Sequence, residues 1–540
     1  MKNRNSKNFS ISKICILEVL VAFSCVWLGV SSAAGKPHYG GILTFAVGDD
    51  VGTKDGHRER NFGLIHPCSP HYSLLLKFDE DNYPKIVGDL ADSWTVSKDH
   101  KTYTFKIHRG VKFHDGSILT ARDVKASYDK IIFPGPGVVS SRKPLYSAVE
   151  KVEAPDDHTV VFRLKWPAAS FLGSLASPFN YIYKAEILAK EPHWYEKNVM
   201  GTGPFKFVEH VFGSHWIGER HKDYFKKGLP YLDGYRATFI LNTASRVAAV
   251  RGGRVMAEFR GFSPTHINDL VRAMGDKVQI KESPLTTMMT IIFNCQKKPF
   301  DDLRVRRALA LAVDHWEGEK VLPKIAIVKS AGALLRPGSE FALTEEELVN
   351  IPGFSKDIEA SRKEARRLLR EAGIPEGYSL EFFNCPPAMP YENVAIWLID
   401  QWRKIGLNVT QKTQERGPYY ADVRKGKYAL FRFSISDYMD EPDLQFTRFI
   451  SSDKAPENYG RYIDRVLDDL YLKQSQTMDP TERRKLCKQF QMRVLDEMVY
   501  MIPTFWWYRA SPFSPKVHGV KLLPSHLLNQ DLSTVWLTKD

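Results

Sequence analysis

Cysteine is scarce in this chain, with six among 540 residues. Two of the six fall within the first 34 residues, and the other four are widely spaced. Without a CxxC pair or a dense cysteine framework, the sequence fits neither a zinc motif nor a small disulfide scaffold. One or two disulfide bridges and buried free thiols are both open for these four. They are Cys68, Cys295, Cys385 and Cys487.

The common motifs of hydrolytic enzymes are also missing. The chain has no GxSxG nucleophile elbow, no HExxH motif and no Cys–His–Asn arrangement in a recognisable local frame. It has no low-complexity tract and no fixed-period repeat either. We therefore expect a protein that is not an enzyme, with a secreted hydrolase as the less favoured alternative.

Only the N-terminus has an apolar run that approaches the length needed to span a membrane. Basic residues precede residues 14–30, which are apolar except for Glu18, and small residues occupy positions 32–34. This pattern predicts a cleaved signal peptide over residues 1–34 and a mature chain that starts near Gly35. A single membrane anchor is the alternative, against which Glu18 and the small residues argue.

The formal net charge of +13 raises the question of a nucleic-acid partner. The basic residues are interleaved with acids, as in residues 362–370, and no run is as dense as a nucleic-acid-binding tail. We therefore predict a solvated, mildly basic surface and no nucleic-acid partner.

The clearest local structure is a ββα unit in residues 94–128. Tyr103 and Phe105 alternate with polar residues, which indicates a half-buried strand. Thr120 and Asp123 have the spacing of a helix capping box. Further helices are predicted to start at Asp302 and Asp479 and to span residues 357–372 and 391–405. Val87, Leu90 and Trp94 are expected to pack as a helix followed by a strand.

Residues 102–128, TYTFKIHRGVKFHDGSILTARDVKASY, resemble the signature segment of the family 5 solute-binding proteins. These are the peptide, dipeptide, nickel and opine receptors of bacterial ABC importers. The passages MGTGPFKFVEH from Met200, HKDYFKKGLPYLDGY from His221 and IIFNCQKKPFDDLRVRRALALAVDHW from Ile291 follow in the order of the family. The resemblance extends from about Gly40 to the C-terminus.

The resemblance implies an α/β, periplasmic-binding-protein class II fold, with two lobes around a ligand cleft plus an extra domain. In such proteins the lobes close on the ligand by a hinge motion. Gly201 and Gly203 are expected where the backbone turns in close quarters between lobes. The implied division is 35–72, 197–298 and 504–540 for lobe I, 73–196 for the extra domain II, and 299–503 for the ligand-gripping lobe III.

The resemblance also implies a ligand site in residues 433–446, FSISDYMDEPDLQF, where the family carries a carboxylate for the ligand's ammonium group. Asp437 is the preferred candidate and Asp440 the alternative. The pocket beside them is expected to include Ser434, Ser436 and Tyr438. The competing interpretation is that these acids are solvated turn residues before Pro442.

Residues 384–390, NCPPAMP, lack the arginine with which dipeptide receptors of the family hold the ligand carboxylate. A short peptide bound at both charged ends is therefore in doubt. A longer or differently charged peptide, or a non-peptide solute such as an opine, a sugar conjugate or a metal chelate, stays open.

His66, Cys68 and His71 have ligand-capable atoms, yet no fourth ligand is evident and their spacing fits no established zinc pattern. Whether they bind a metal is left open, and no metal or cofactor is predicted. The resemblance implies a monomeric periplasmic receptor that captures an oligopeptide-like solute and delivers it to an ABC permease in the inner membrane. A sensor or chaperone-like subunit on the same fold is a further alternative.

Overall fold

The computed structural model describes residues 35–59, 61–386 and 388–539. The signal peptide predicted for residues 1–34 lies outside the described residues. The strands are β1 Ile42–Val47, β2 Leu76–Phe78, β3 Ile86–Gly88, β4 Ala91–Val96, β5 Thr102–Ile107, β6 Val149–Asp156, β7 Thr159–Leu164, β8 Phe205–Val211, β9 His215–Arg220, β10 Gly234–Phe239, β11 Ala257–Glu258, β12 Gln279–Phe293, β13 Val328–Ala331, β14 Ser379–Asn384, β15 Asn408–Thr413, β16 Leu430–Ser436, β17 Met501–Phe513, β18 Val517–His518 and β19 Trp536–Leu537.

The α-helices connect these strands and cover the sheets. They are α1 Phe62–Cys68, α2 Ala121–Ile132, α3 Phe171–Leu175, α4 Ala185–Lys190, α5 Thr243–Arg251, α6 Pro264–Met274, α7 Leu303–Leu311, α8 His315–Val321, α9 Glu345–Leu348, α10 Ile358–Glu371, α11 Ala388–Arg403, α12 Arg416–Arg424, α13 Pro442–Phe446, α14 Arg465–Gln476 and α15 Pro480–Met492. A π-helical turn, Arg493–Glu497, extends α15.

The largest sheet has the strand order β15-β14-β16-β12-β17-β11-β1-β10-β9-β8, with β13 paired to β17. Pairing is parallel among β14, β15 and β16 and between β1 and its two neighbours, and antiparallel along β12 and β17. Helices alternate with the parallel strands, which is the pattern of an α/β fold.

Strands β12 and β17 connect two hydrophobic cores. Met288–Phe293 on β12 and Met501 on β17 pack in a core built mostly from residues 288–506, whereas Phe513 packs with β1 and β10. The register of the β12–β17 pair shifts between Pro284 and Met288, at the passage from one core to the other. Two neighbouring strands therefore carry the chain between the cores.

A separate four-stranded sheet, in the order β4-β5-β7-β6, forms the core of the predicted ββα unit. Tyr103 and Phe105 are fully buried, as their alternation predicts. Thr120 caps α2, and its backbone amide donates to the Asp123 carboxylate at 2.8 Å, which confirms the capping box. A third core, drawn mainly from residues 75–182, surrounds this sheet.

The prediction of a helix followed by a strand around Val87, Leu90 and Trp94 was wrong. Val87 belongs to β3, which pairs with β2 as a hairpin, and Trp94 belongs to β4. The spacing of these apolar residues resembles a helical period, but the segment is held by strand pairing with β2 and β5. Tertiary pairing has overridden a weak local signal.

The remaining helix predictions hold with small shifts at the ends. Asp302 and Asp479 accept hydrogen bonds from backbone amides in the first turns of α7 and α15. Helix α10 is capped by Asp357 and ends one residue before the predicted end. Helix α11 begins at Ala388, ahead of the predicted start. Such shifts of a few residues are ordinary for helix ends.

Gly201 and Gly203 lie directly against the backbone of His71. A Cβ atom on Gly203 would meet the His71 carbonyl carbon at 2.4 Å and the Tyr72 nitrogen at 2.4 Å. The Gly203 amide donates to the His71 carbonyl at 3.0 Å. Close approach of two backbone segments, predicted from the sequence, is therefore what requires glycine here.

Candidate functional site

A cavity of about 1370 Å³ opens beside β16, where β12 and β17 pass between the two cores. It exceeds the roughly 300–1,000 Å³ of sites for drug-sized ligands. Its walls come from segments far apart in the chain. They include Phe62, Arg260, Thr287, Tyr391, Ser434, Ser436, Asp437, Tyr438, Trp507 and Arg509. The size and the mixed polar and aromatic walls suit an extended solute.

The structure brings four of the five predicted site residues to this cavity. Ser434 and Ser436 line it from β16, and Asp437 and Tyr438 follow directly after the strand. The Ser436 side chain is exposed to the cavity, and its hydroxyl lies 3.0 Å from that of Thr287 on β12. These hydroxyl groups give the wall donors and acceptors that rotate to suit a ligand.

Asp437 is fixed in place by several contacts. Its carboxylate accepts two hydrogen bonds from Arg448, at 2.7 Å and 2.8 Å, and its side chain is 7% exposed. Its backbone amide and carbonyl both bond to Thr286, at 3.2 Å and 2.7 Å. The sequence analysis did not foresee Arg448 as a partner. A paired carboxylate of this kind is oriented without being saturated, because a carboxylate offers about four acceptor positions.

The environment of Asp440 differs from that of Asp437. Its carboxylate accepts hydrogen bonds from Arg336 at 2.6–3.0 Å, and its backbone amide donates to the Tyr83 hydroxyl at 2.9 Å. It is not among the residues that line the cavity. The structure thus separates the two candidates, with Asp437 at the cavity wall and Asp440 in an ion pair behind it.

In the part of the chain that the structure describes, one edge of β16 lacks a partner strand along the stretch whose Ser434 and Ser436 line the cavity. The strand pairs with β12 over its whole length, but within the described residues it pairs with β14 only at Leu430 and Phe431. From Arg432 onward, the second edge has no partner strand among the described residues. An open edge beside a cavity is a template for an extended backbone, which adds to it as a further strand.

Residues 384–390, which lack the carboxylate-binding arginine of the dipeptide receptors, reach the cavity through Met389 and Pro390. Tyr391, the next residue, also lines it. A guanidinium group from another element lies beside it. Arg432 on β16 is fully buried, stacks 3.7 Å from the Tyr391 ring centroid and donates to Asn384. Because Arg432 does not line the cavity, it orders the wall and does not replace the missing arginine.

Positive charge dominates the cavity wall. Among the described residues, six cationic side chains line it, against the carboxylates of Asp437 and Glu457. The cations are Arg246, Arg260, Arg416, Arg448, Lys454 and Arg509. The sequence analysis missed this set because its members come from five separate segments. The excess favours solutes with anionic groups.

His66, Cys68 and His71 each bond to a different group. His66 Nδ1 lies 2.9 Å from Gln530 Oε1, and the Cys68 thiol is buried near the Lys54 carbonyl. His71 Nδ1 donates to the Phe205 carbonyl at 2.8 Å, and its Nε2 accepts from Trp216 Nε1 at 2.8 Å. Over residues 35–59, 61–386 and 388–539, no group of three or more His, Cys, Asp or Glu side chains is arranged to hold a metal.

The four cysteines in the described part of the chain are free thiols, of which three are buried and Cys295 is partly so. Burial raises the pKa of Cys295 to about 11 and that of Cys487 to about 12, so both stay protonated. Of the two alternatives left open by the sequence, the structure has the free thiols. No helix in the described part of the chain is long and apolar enough to cross a bilayer.

Comparisons with known proteins agree on the type of molecule. The family model described as "Bacterial extracellular solute-binding proteins, family 5 Middle" matches residues 85–457. Heme-binding protein A of Haemophilus influenzae is 29% identical over 83% of this chain and 84% of its own length. The dipeptide-binding protein of Escherichia coli is 28% identical over 84% and 87%.

A solved structure shares the fold. The periplasmic binding protein DppA from Helicobacter pylori, in complex with the peptide STSA, superposes with a TM-score of 0.74 at 24% sequence identity. The match covers 93% of this chain and 99% of that one. The predicted α/β, two-lobed binding-protein fold is thereby confirmed, and the matched proteins are binding proteins.

Proposed function

The chain belongs to the bacterial extracellular solute-binding proteins of family 5, and from this premise we propose that it is the receptor of an ABC importer. It captures an oligopeptide-like solute in the cavity between its cores and delivers it to a membrane permease. Relatives named for dipeptides, and a structural neighbour that holds a tetrapeptide, support this substrate class.

The observation that carries the proposal is the open edge of β16 beside a cavity of about 1370 Å³. A peptide backbone that binds there forms main-chain hydrogen bonds independent of its sequence. Its side chains enter the wide, polar cavity, in which water fills the space around variable groups. This arrangement accepts many sequences while requiring an extended backbone.

We propose that Asp437 binds the ammonium group of the peptide. An ammonium buried without a partner costs several kcal/mol, so a carboxylate at the cavity wall is needed to receive it. Arg448 uses two of the roughly four acceptor positions of that carboxylate and leaves others for the ligand. Ser434, Ser436 and Tyr438 then provide polar contacts to the first residues of the peptide.

The proposed division into lobe I, domain II and lobe III is supported by the three cores and by the strands between them. Only β12 and β17 need to bend for the wall around β16 to approach the wall around Arg260. Their register shift at residues 284–288 is the proposed hinge. Ligand contacts to both walls then drive closure.

We place the mature protein in the periplasm, after removal of residues 1–34. The extracellular family and the predicted signal peptide support this location. The permease is expected to recognise the closed, ligand-bound form.

The test is peptide binding by protein freed of its endogenous solute. Native mass spectrometry of the protein as isolated identifies co-purified ligand, and thermal unfolding after refolding measures the shift caused by a tripeptide and tetrapeptide mixture. Ser436→Trp places a bulky ring at the cavity wall beside the unpaired edge of β16 and is expected to abolish the shift. Ser93→Trp, on an exposed position of β4, is the matched control and is expected to retain it. No shift with the wild-type protein overturns the peptide assignment.

A further inference from the structure

Arg260 presents its guanidinium group at the cavity wall, stacked on an aromatic ring. Its side chain is exposed to the cavity, and its guanidinium carbon lies 3.5 Å from the Phe62 ring centroid. Within the described residues, no hydrogen bond or ion pair reaches it. Stacking on an aromatic ring fixes the plane of the guanidinium group and leaves its N–H edges free to donate.

A tight turn holds Arg260 in this position. The Gly261 amide donates to the Glu258 carboxylate at 2.5 Å, and the Phe262 amide donates to the Ala510 carbonyl at 3.0 Å. Gly261 has a φ of 89°, and a Cβ atom there would meet the Ala510 carbonyl oxygen at 2.8 Å. The turn is therefore anchored on both sides of Arg260 and directs its side chain outward.

Two further arginines lie at the same wall. Arg509 donates to the Ser283 hydroxyl and to the carbonyls of Phe259 and Leu523, so its hydrogen bonds go to neutral groups. Arg246 donates to two carbonyls and to Thr243, and its buried Nε has no hydrogen-bond partner among the described residues. Apart from Arg246 Nε, neutral acceptors satisfy these donors and leave the positive charge in place.

Glu258 is the acid nearest this group, and it offsets little of the charge. It is 2% exposed, and 3.8 Å separates its carboxylate from Arg246 Nε. Burial raises the pKa of Glu258 to about 7, although Arg246 and the Gly261 amide oppose the rise. Three guanidinium groups therefore face one carboxylate that is partly protonated near neutral pH. Asp49 also acts on Arg260, but more weakly than Glu258, so a positive potential is left at Arg260.

We infer that Arg260, backed by Arg246 and Arg509, binds an anionic group of the solute through a charge-assisted, bidentate hydrogen bond. This inference rests on the proposed function, and for a peptide-like solute the group is a carboxylate. Bidentate pairing with a planar carboxylate is the geometry for which a stacked arginine is suited. It supplies the anion contact that residues 384–390 lack.

The experiment compares free-acid and C-terminally amidated forms of one tripeptide mixture by calorimetry at pH 7. Wild-type protein is expected to bind the free acids 10- to 100-fold more tightly, the range of a charged hydrogen bond. Arg260→Gln is expected to remove this preference while it retains the affinity for amidated peptides. Arg272→Gln removes an equal charge from an exposed position on α6 and is expected to keep the preference. Equal affinities in the wild type, or an unchanged preference in Arg260→Gln, overturn the inference.

A second arm separates this inference from the peptide assignment. If neither peptide form binds, the peptide assignment fails, and succinate and inorganic phosphate then serve as probes in thermal unfolding. A stabilising shift in the wild type that is absent in Arg260→Gln supports an anion site for a different solute, and the two probes distinguish a carboxylate from a phosphate. A shift that is absent in the wild type, or equal in the variant, overturns the anion site as well.

Discussion

Asp437 and Arg448 form a two-pronged ion pair at the cavity wall, with oxygen–nitrogen distances of 2.7 Å and 2.8 Å. This pair makes the role of Asp437 testable. A carboxylate that only holds Arg448 and a carboxylate that receives a ligand ammonium respond differently when Arg448 is removed. If Asp437 receives the ligand's ammonium group, its negative charge is shared between Arg448 and the ligand. If Asp437 only holds Arg448, its charge interacts with the protein alone.

We predict that Asp437→Asn weakens binding of peptides with a free N-terminus by 10- to 100-fold, because the buried ammonium loses a charged acceptor. Arg448→Met is expected to retain or strengthen that binding, since it frees acceptor positions on Asp437. Calorimetry with free and N-acetylated peptides measures the effect as a ratio of affinities, and chemical unfolding reports separately the stability that each variant loses.

Asp440→Asn is the control, because Asp440 is also paired with an arginine but does not line the cavity. It is expected to lose stability without a change in the affinity ratio. If Asp437→Asn and Arg448→Met reduce the ratio equally, Asp437 has only a structural role. If Asp440→Asn alone reduces it, the ammonium site lies at Asp440.

Local sequence signals were sufficient for the helix starts and for the buried alternation of β5. Thr120 and Asp123 are three residues apart and bond within their own turn, so the pattern contains the whole interaction. Arg448 could not be assigned to Asp437 in this way, because Glu441 and Asp443 lie nearer in sequence and pair with Arg483 instead. Which acid meets which base depends on the fold of residues 437–448.

Arg260 shows the same limit over a longer distance. No local sequence pattern marked this arginine as a binding residue. Its setting depends on Phe62 from α1 and on Arg509 from β17, which only the assembled sheet brings together. Gly261 allows the turn locally, whereas the exposure of the Arg260 charge to the cavity is a property of the packing.

The close contact between Gly203 and His71 gives a prediction about stability. Gly203→Ala is expected to lower the free energy of unfolding by about 3 kcal/mol or more, because the added Cβ meets backbone atoms that cannot rotate away. Gly417→Ala is the control, since no atom lies within 4 Å of its Cβ position in α12. That change is expected to alter stability by less than about 1 kcal/mol, in the stabilising direction. Urea unfolding measures both; equal effects contradict the packing argument.

His71 predicts a loss of stability in acid. Burial lowers the pKa of His71 to about 3, and the hydrogen bond to the Phe205 carbonyl offsets this only in part. Its Nε2 accepts from Trp216, so protonation there requires that hydrogen bond to break. The unfolded chain takes up this proton below about pH 6.5, whereas the folded chain does so only near pH 3. The free energy of unfolding therefore falls as the pH decreases between these values.

The contribution of His71 is measured by urea unfolding of His71→Gln at pH 7, 6, 5 and 4. We expect the variant to be less stable than the wild type at pH 7. On acidification, its free energy of unfolding is expected to fall less steeply than that of the wild type, by up to about 1.4 kcal/mol per pH unit. His193→Gln, at an exposed position, is expected to keep the wild-type slope. If His71→Gln shows the same dependence of stability on pH as the wild type, His71 contributes nothing to that dependence. His71 is then protonated in the folded protein over the same pH range as in the unfolded chain.

Glu258 predicts the opposite dependence on pH. Burial raises the pKa of Glu258 from 4.5 to about 7, against the charges of Arg246 on α5, Arg260 and Arg509 on β17 and the hydrogen bond from Gly261. The folded protein thus holds a proton that the unfolded chain releases near pH 4.5, and the free energy of unfolding falls as the pH rises from 4.5 to 7. Ionisation of Glu258 costs on the order of 3 kcal/mol across this window.

Glu258→Gln retains an acceptor for the Gly261 amide and removes the titration. Its stability relative to the wild type is expected to rise between pH 4.5 and 7 and to level off above that, as measured by chemical unfolding. Glu282→Gln, at a half-exposed carboxylate on β12, is the control and is expected to show no such rise. A relative stability that stays flat across the window shows instead that Glu258 is ionised throughout and stabilises the three arginines. In that case the positive potential at Arg260 is smaller than proposed, and the preference for free-acid peptides should shrink with it.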